Sequence, residues 1–276
     1  MEHPSTGPTT AAPPAGDTYT FGDTPTAARR LALLAEVFDP PTRSLLASWR
    51  PEAPGLAVDL GCGPGHTTRL LHDVGAARRT VGLERSAEYV ARGRAGLPAG
   101  AEIVEHDVTV APLPVPPVDL ALARFLLTHL ADPGGALAVW TSALAPAGRL
   151  LAQETAHMSS ADPVLARYYE LVAQLQRHHG QALDIGARLA DLARATPGTR
   201  VLHADVVPLR PAVPAMAALH AMNVRTWRTD PYAAAAFDPV ELDELTDALD
   251  ALAGGAHPTG PVEMGLAEVV LERVGD

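Results

Sequence analysis

The chain has 276 residues, of which 47% are hydrophobic and 19% charged, enough apolar material for a sizeable folded core. The formal net charge is -11, and a field of that sign repels nucleic-acid phosphates and anionic membrane surfaces. All 21 basic residues are arginine, which excludes Schiff-base chemistry, pyridoxal-phosphate anchoring and a phosphate-binding loop that ends in Gly-Lys.

Cysteine content and apolar runs bear on the compartment. Cys62 is the only cysteine, so we expect no intrachain disulfide and no cysteine cluster for zinc or iron-sulfur. No run approaches the roughly 18 apolar residues of a membrane span, and the first residues lack the basic and apolar regions of a signal peptide. These features predict a cytoplasmic protein that is neither exported nor inserted in a membrane.

The N-terminal part divides into a tail and a helical cap. Residues 1–16 are rich in Pro, Gly, Ser and Thr without periodicity, which predicts a disordered tail. Apolar residues then recur at helical spacing between Thr26 and Trp49, and Asp39-Pro40-Pro41 interrupts them. We therefore predict two short helices in a cap that covers 17–50.

Residues 51–157 alternate short β-rich runs with longer helical runs. The predicted strands cover 55–60, 80–84, 101–107, 118–125 and 148–154. Strands joined by helices imply right-handed crossovers and a mostly parallel sheet that is covered on both faces. This pattern is typical of a doubly wound, Rossmann-like α/β core.

The pattern changes after residue 157. Helical periodicity over 163–176 and 185–195 predicts a helical insertion at 158–199, after the fifth strand. In the C-terminal part, 200–276, strand-like runs at 200–207 and 262–274 bracket predicted lid helices near 213–223 and 239–252. The whole fold is therefore expected to be a seven-stranded sheet with an antiparallel last strand.

The strongest functional signal is a glycine-rich loop at the end of the first strand. It contains Asp59, Gly61, Cys62, Gly63 and Gly65 and opens a helix. Glycines let the backbone turn sharply and approach a ligand closely. A dinucleotide fingerprint needs G-x-G-x-x-G, and the third glycine comes one residue early here, which disfavours a nicotinamide oxidoreductase.

The D-x-G-x-G-x-G spacing resembles the first motif of the class I S-adenosylmethionine-dependent methyltransferases. The resemblance continues downstream, in the order of that family, at Glu84, Asp107 and Arg124-Phe125. It implies that Glu84 accepts the ribose hydroxyls of the cofactor, and that Asp107 accepts from the adenine amino group while the backbone N–H of Val108 pairs with the ring. The resemblance also implies cofactor contacts from the loop and from the ends of strands two and four: Asp59, Gly61, Gly63, Gly65, Cys62 through its backbone, Arg85, Arg124 and Phe125.

Two motifs, Tyr19-Thr20-Phe21-Gly22-Asp23 and Arg29-Arg30-Leu31, are similar to the N-terminal cap of small-molecule methyltransferases from secondary metabolism. The resemblance implies that Tyr19 closes over the sulfonium, where an aromatic face favours a cation, and that Arg30 pairs with the cofactor carboxylate. No His-x-x-x-His pair or other ligand pattern occurs, so no metal site is expected.

Two histidines are candidates for a general base. His129 follows Arg124 at the expected border of cofactor and acceptor, and His157 follows the fifth strand on the rim where doubly wound folds bind ligands. Each is alternatively a histidine with a purely structural hydrogen bond. Tyr168, Tyr169, His220 and Trp227 belong to the segments expected to form the acceptor pocket.

These features predict methyl transfer from S-adenosylmethionine to a small, largely apolar metabolite, by O- or C-methylation. Two alternatives stay open: a fold member that binds the cofactor but catalyses cyclisation or decarboxylation, and a binding protein without enzymatic activity. We expect a small molecule as partner and neither nucleic acid nor membrane, and we leave open whether the chain forms a homodimer.

Overall fold

The computed structural model describes residues 25–275, and the predictions for residues 1–16 and for Tyr19 lie outside this part of the chain. Its strands are β1 Leu56–Leu60, β2 Arg79–Glu84, β3 Ala101–Glu105, β4 Val118–Arg124, β5 Leu144–Ser160, β6 Thr199–Leu209 and β7 Val262–Arg273. Its helices are α1 Pro25–Trp49, α2 His66–Gly75, α3 Ala87–Arg94, α4 Pro133–Ser142, α5 Pro163–His178, α6 Leu189–Ala195, α7 Val213–Trp227, α8 Pro231–Ala236 and α9 Pro239–Ala253. Single 3₁₀ turns lie at Leu127–His129 and Ile185–Arg188.

The strands form one seven-stranded sheet in the order β3-β2-β1-β4-β5-β7-β6. Strands β1 to β5 pair in parallel, and β7 is antiparallel to both β5 and β6. The predicted fold class is confirmed. The order in which successive strands are added to the sheet reverses between β1 and β4. Open α/β sheets bind ligands at such a switch point, in the crevice outside the carboxyl ends of the strands.

Local sequence explains where several helices begin. Four of them, α4, α5, α8 and α9, start with an aspartate whose side chain accepts backbone N–H groups of the first turn, followed by proline at the first helical position. Aspartate satisfies donors that have no partner inside the helix, and proline has no N–H to satisfy there. Among the described residues, no helix has both the length and the apolar character needed to cross a membrane.

The N-terminal cap contains one helix, α1, which runs through Pro40 and Pro41. The predicted break at this proline pair is therefore wrong. Each proline costs a helical hydrogen bond, but the residues on either side are held in the core: Phe38 and Thr42 are 1% and 0% exposed. Thr42 Oγ1 also lies within hydrogen-bond distance of two acceptors that share its one proton, the carbonyl of Phe38 at 2.8 Å and Gln153 Oε1 on β5 at 2.7 Å.

Besides the core beside the parallel strands, an apolar core joins α5, α7 and α9 to α1 and to the first half of β7. Its members include Phe38 of α1, Leu165 of α5 and Trp227 of α7. Strand β5 continues to Ser160, so the predicted boundary between the α/β core and the helical insertion, at 157/158, falls inside a strand. The first helix of the insertion, α5, begins only at Pro163. The helices after β5 thus form a layer that encloses one end of the sheet.

Candidate functional site

A cavity of about 590 Å³ opens at the carboxyl ends of β1, β2, β4 and β5. This volume lies in the usual range of small-molecule sites. Its walls come from two sources. One wall consists of the loops that follow β1 to β4 together with residues of α1, and the other consists of side chains from β5, α5, α7 and β7.

The glycine-rich loop forms the floor of the first wall. Gly61, Cys62 and Gly63 line the cavity. Gly61 and Gly63 have φ values of +65° and +53°, which favour glycine, and a Cβ on Gly61 would lie 2.7 Å from the Leu126 side chain. Gly65 does not line the cavity; it has φ +82° and precedes the first residue of α2. The loop conformation therefore depends on the predicted glycines, although only two of them face a ligand space.

Asp59 lies beneath the loop rather than in the cavity. Its Oδ2 accepts hydrogen bonds from the hydroxyls of Thr67, at 2.6 Å, and Thr68, at 2.8 Å, on α2. Burial raises the pKa of Asp59 to about 6, and the two threonine bonds offset part of that effect. Asp59 thus ties the end of β1 to the first turn of α2, which corrects the expectation that it contacts a cofactor directly.

Glu84 faces the cavity from the end of β2 and is 9% exposed. Its Oε2 accepts from the backbone N–H of Gly63, at 2.9 Å, and its Oε1 accepts from that of Ser86, at 2.8 Å. A carboxylate has about four acceptor positions, so two remain for ligand hydroxyls. Arg85, the next residue, also lines the cavity.

Asp107 and Val108 line the cavity after β3. Asp107 Oδ1 accepts from the backbone N–H of Thr109, at 2.9 Å, and from its hydroxyl, at 2.7 Å. Partial burial alone would raise the pKa of Asp107, but these two bonds and the nearby Arg85 and His106 lower it below its ordinary value. Asp107 is therefore a carboxylate at neutral pH, and Oδ2 is the oxygen that the Thr109 bonds leave to a ligand.

Arg124 and Phe125 end β4 and also line the cavity. Arg124 Nη1 donates to Asp39 Oδ1, at 2.9 Å, and to Thr42 Oγ1, at 3.0 Å, so its charge is already paired with α1. Phe125 has φ +53°, an uncommon conformation for a bulky residue, and its ring packs edge-on against Phe38 at 4.8 Å between centroids. Such backbone strain is often found at binding sites.

Arg30 and His129 complete the first wall. Arg30 is 4% exposed, on α1. Burial lowers the pKa of His129 to about 3, and the charges of Arg30 and Arg85 act in the same direction, while a hydrogen bond with Gln181 opposes them. His129 is therefore neutral at pH 7 and is a weak proton acceptor, which disfavours it as the general base for which the sequence made it a candidate.

His157 is exposed and does not line the cavity. The register of β5 against β7 shifts between Thr155 and His157, so that Thr155 and Met158 face the cavity. The His157 ring instead occupies the space that a side chain at Gly265 of β7 would need. The prediction that His157 faces the acceptor pocket is wrong, because a bulge changes which residues of β5 point inward.

The second wall carries a buried polar cluster in apolar surroundings. Tyr168, Tyr169, His220 and Asn223 line it. Asn223 Nδ2 donates to the Tyr168 hydroxyl at 2.7 Å, His220 Nε2 lies 3.2 Å from the Tyr169 hydroxyl, and the rings of Tyr168 and His220 stack. Burial raises the pKa of both phenols and lowers that of His220 to about 3, so the cluster is uncharged at neutral pH.

Trp227 does not line the cavity. It is 1% exposed, and its ring packs edge-on against Phe237 in the core of the helical layer. The expectation that it contacts the acceptor is wrong, since its ring lies in the core of the helical layer, one turn of α7 beyond the cavity residue Asn223.

Glu154 is a cavity residue that the sequence analysis did not select. It lies on β5 and is 1% exposed. A carboxyl group near the carboxyl end of a central parallel strand is the signal that could have identified it, since open α/β sheets bind ligands at that edge. The histidine three residues later drew the functional interpretation instead.

Comparisons with known proteins bear on the same residues. Residues 58–152 match the family described as "Methyltransferase domain". A trans-aconitate 2-methyltransferase of Azoarcus sp. (strain BH72) is 30% identical over 185 residues, which are 56% of this chain and 72% of that protein. A trans-aconitate 2-methyltransferase of Streptomyces avermitilis is 32% identical over 139 residues, 46% of this chain and 52% of that protein.

Among solved structures, that of the 4+2 cyclase SpnF has a TM-score of 0.57 and 21% identity, over 85% of this chain and 82% of that one. At this identity the likeness concerns the fold alone. The chain spans about half the length of several of the curated relatives that it matches.

Proposed function

Since the chain belongs to the family of S-adenosylmethionine-dependent methyltransferases, we propose that its cavity binds S-adenosylmethionine beside a small, largely apolar acceptor and that the chain transfers the methyl group between them. The observation that carries this proposal is the continuity of the cavity. The glycine-rich loop, Glu84 and Asp107 share one space of about 590 Å³ with the apolar wall of α5 and α7.

The first wall fits the cofactor. Gly61 and Gly63 have a left-handed backbone that other residues rarely adopt, and a side chain at Gly61 would also clash with Leu126. The glycines thus keep the loop free of side chains where it faces a ligand. Glu84 offers two free acceptor positions for ribose hydroxyls, and Asp107 offers one oxygen for the adenine amino group. Arg30 is the cation that we assign to the cofactor carboxylate. When bound, the cofactor supplies a methyl group activated on a sulfonium.

The second wall favours an uncharged acceptor. From Glu154 to Met264, the described residues that line the cavity include no arginine, and the one histidine, His220, is neutral at pH 7. Trans-aconitate, which names the relatives' reaction, carries three carboxylates, and carboxylates need paired cations when they are buried. We therefore place an apolar molecule with few polar groups here rather than a tricarboxylate.

The chain's contribution to the reaction is alignment and exclusion of water. Holding the acceptor atom in line with the methyl group supplies several kcal/mol of the barrier reduction. The buried residues Tyr168 and Leu219 line the second wall, and their burial keeps water from competing for the methyl group.

The experiment that tests this proposal measures transfer of a labelled methyl group from S-adenosylmethionine to a panel of phenols, enols and trans-aconitate. We expect transfer to neutral phenols or enols and little to trans-aconitate, with inhibition by S-adenosylhomocysteine. If the cofactor binds in calorimetry and no acceptor is methylated, the cyclisation or decarboxylation alternative is favoured. If the cofactor does not bind, the proposal fails.

A further inference from the structure

The two carboxyl oxygens of Glu154 differ in their hydrogen bonding. Its Oε1 accepts two short hydrogen bonds, from the backbone N–H groups of Leu126, at 2.7 Å, and Leu127, at 2.6 Å. Its Oε2 is buried and has no hydrogen-bond partner among the described residues. The side chain lines the cavity, and a buried polar atom in a folded protein almost always has a hydrogen-bond partner.

The first oxygen accounts for the orientation of the carboxyl group. The N–H groups of Leu126 and Leu127 follow the left-handed Phe125 and begin the 3₁₀ turn at Leu127–His129. Glu154 thus anchors the strained turn after β4 and is itself held in one orientation. This contact uses Oε1 only, so it does not explain why an ionisable group is needed at Oε2.

Among residues 25–275, no cation forms an ion pair with Glu154. The titratable and charged groups that line the cavity with it are Glu84, Asp107, Arg30, Arg85, Arg124, His66, His106, His129, His220, Cys62, Tyr89, Tyr168 and Tyr169. None of these groups is among the causes that shift the pKa of Glu154. Burial raises the pKa of Glu154 to about 8, and backbone hydrogen bonds from Leu127, Leu126 and Thr128 offset only part of this. A proton is therefore exchanged at this group near neutral pH.

We propose that Glu154 Oε2 binds a hydroxyl of the acceptor and takes its proton as the oxygen accepts the methyl group, so that the acceptor is a neutral phenol or enol. This inference rests on the proposed function. In the step, the O–H bond breaks and its proton passes to the Glu154 carboxylate. The oxygen–methyl bond forms, and the sulfur–methyl bond breaks with its electron pair left on sulfur as a neutral thioether.

The chemistry selects this class of acceptor. A phenol has a pKa near 10, so transfer of its proton to a base that titrates about two units lower is only modestly uphill. A carboxylate acceptor has no proton to give, and an ionised Glu154 repels it. The neighbouring polar cluster of Tyr168, Tyr169, His220 and Asn223 is uncharged, which also suits a neutral ring.

The kinetic test uses Glu154→Gln. Its amide oxygen can still accept from Leu126 and Leu127, while the amide nitrogen cannot take a proton. We expect kcat for the best phenol to fall roughly 10²- to 10⁴-fold, and the rise of the parent rate through about pH 8 to disappear. Glu263→Gln, an exposed carboxylate on β7 that pairs with Arg210, should leave both unchanged. A loss below tenfold with the same pH profile overturns the assignment.

A binding test needs no turnover. With S-adenosylhomocysteine present, p-cresol should bind the parent protein at least tenfold more tightly than toluene, and Glu154→Gln should abolish most of this preference. No binding of p-cresol, or equal preference in the variant, overturns the inference. If the preference holds but no methyl group is transferred, the proposed function fails while the recognition of a hydroxyl by Glu154 stands.

Discussion

Glu84 joins the glycine-rich loop to the start of α3, because its two oxygens accept from Gly63 and Ser86. Glu84→Ala removes the acceptor of the ribose hydroxyls and frees the loop. We expect binding of S-adenosylhomocysteine to weaken by about 1 to 3 kcal/mol, roughly a factor of 5 to 150. Titration calorimetry measures this change.

Glu102→Ala is the matched control for Glu84→Ala. Glu102 lies on the adjoining strand β3, is exposed, and pairs with Arg79. Its removal should leave the dissociation constant unchanged, since exposed ion pairs contribute little and Glu102 does not line the cavity. Equal affinity in the two variants would remove Glu84 from the cofactor site.

Residue positions at strand ends were the most predictable part of the site. Glu84, Asp107 and Arg124 were assigned through the family resemblance, at the ends of predicted parallel strands, and all three line the cavity. His157 was misplaced because the bulge in β5 reverses the alternation of inward and outward side chains after Thr155. Nothing in the local sequence announces that shift. Glu154 lies before the shift, and it was missed because the histidine three residues later was preferred as the functional residue.

At the scale of elements, α1 depends on a buried polar contact with β5. Thr42 Oγ1 donates to Gln153 Oε1 and accepts from Arg124 Nη1, and the residue is 0% exposed. Thr42→Val keeps the shape of the side chain and leaves both partners short of a bond. We expect the free energy of unfolding to fall by about 1 to 3 kcal/mol, measured as a lower urea midpoint with an unchanged m-value.

Ser44→Ala provides the comparison on the same helix. Ser44 is exposed, and its hydroxyl donates only to the carbonyl of Pro40, at 3.2 Å. The loss should stay within about 0.5 kcal/mol. If the two variants lose equal stability, the contact of Thr42 with β5 does not hold α1 across its prolines.

The strands were predictable as elements because buried parallel strands are continuous apolar runs; β1, for example, is buried at every position. The single helix α1 was not. Its continuity through Pro40 and Pro41 depends on Gln153 and Arg124, which are more than 80 residues away in the chain. Local propensity describes the isolated segment, and here tertiary packing outweighs it.

At the scale of the whole molecule, the alternation of strands and helices predicted the sheet and the edge at which ligands bind. The packing of the helical layer was less accessible. The segments of the second wall were predicted, but which of their side chains face inward depends on how α5 and α7 dock on α1 and β7. Trp227 and Tyr168 are both aromatic and buried, and only the latter reaches the cavity.

The loop geometry also predicts which nucleotides stabilise the molecule. The N–H groups of Cys62, Gly63 and Gly65 donate to Leu83, Glu84 and Cys62, respectively, so they are not available to cradle phosphates. Two carboxylates, Glu84 and Asp107, line the same wall and repel a polyphosphate. A cofactor without phosphate groups should therefore bind in preference to NAD or ATP.

We expect S-adenosylhomocysteine at a hundredfold excess over its dissociation constant to add about 2.7 kcal/mol to the stability of the folded state. For a chain of this size, that corresponds to a rise in Tm of about 5 to 10 °C. NAD and ATP at the same concentration should shift Tm by less than about 1 °C, because they lack a phosphate cradle here. Thermal unfolding of the full chain measures all three, and Glu84→Ala should lose most of the shift with S-adenosylhomocysteine. A comparable shift with NAD or ATP would mean that the loop N–H groups exchange their internal partners for phosphate, against the geometry of Glu84 and Gly63.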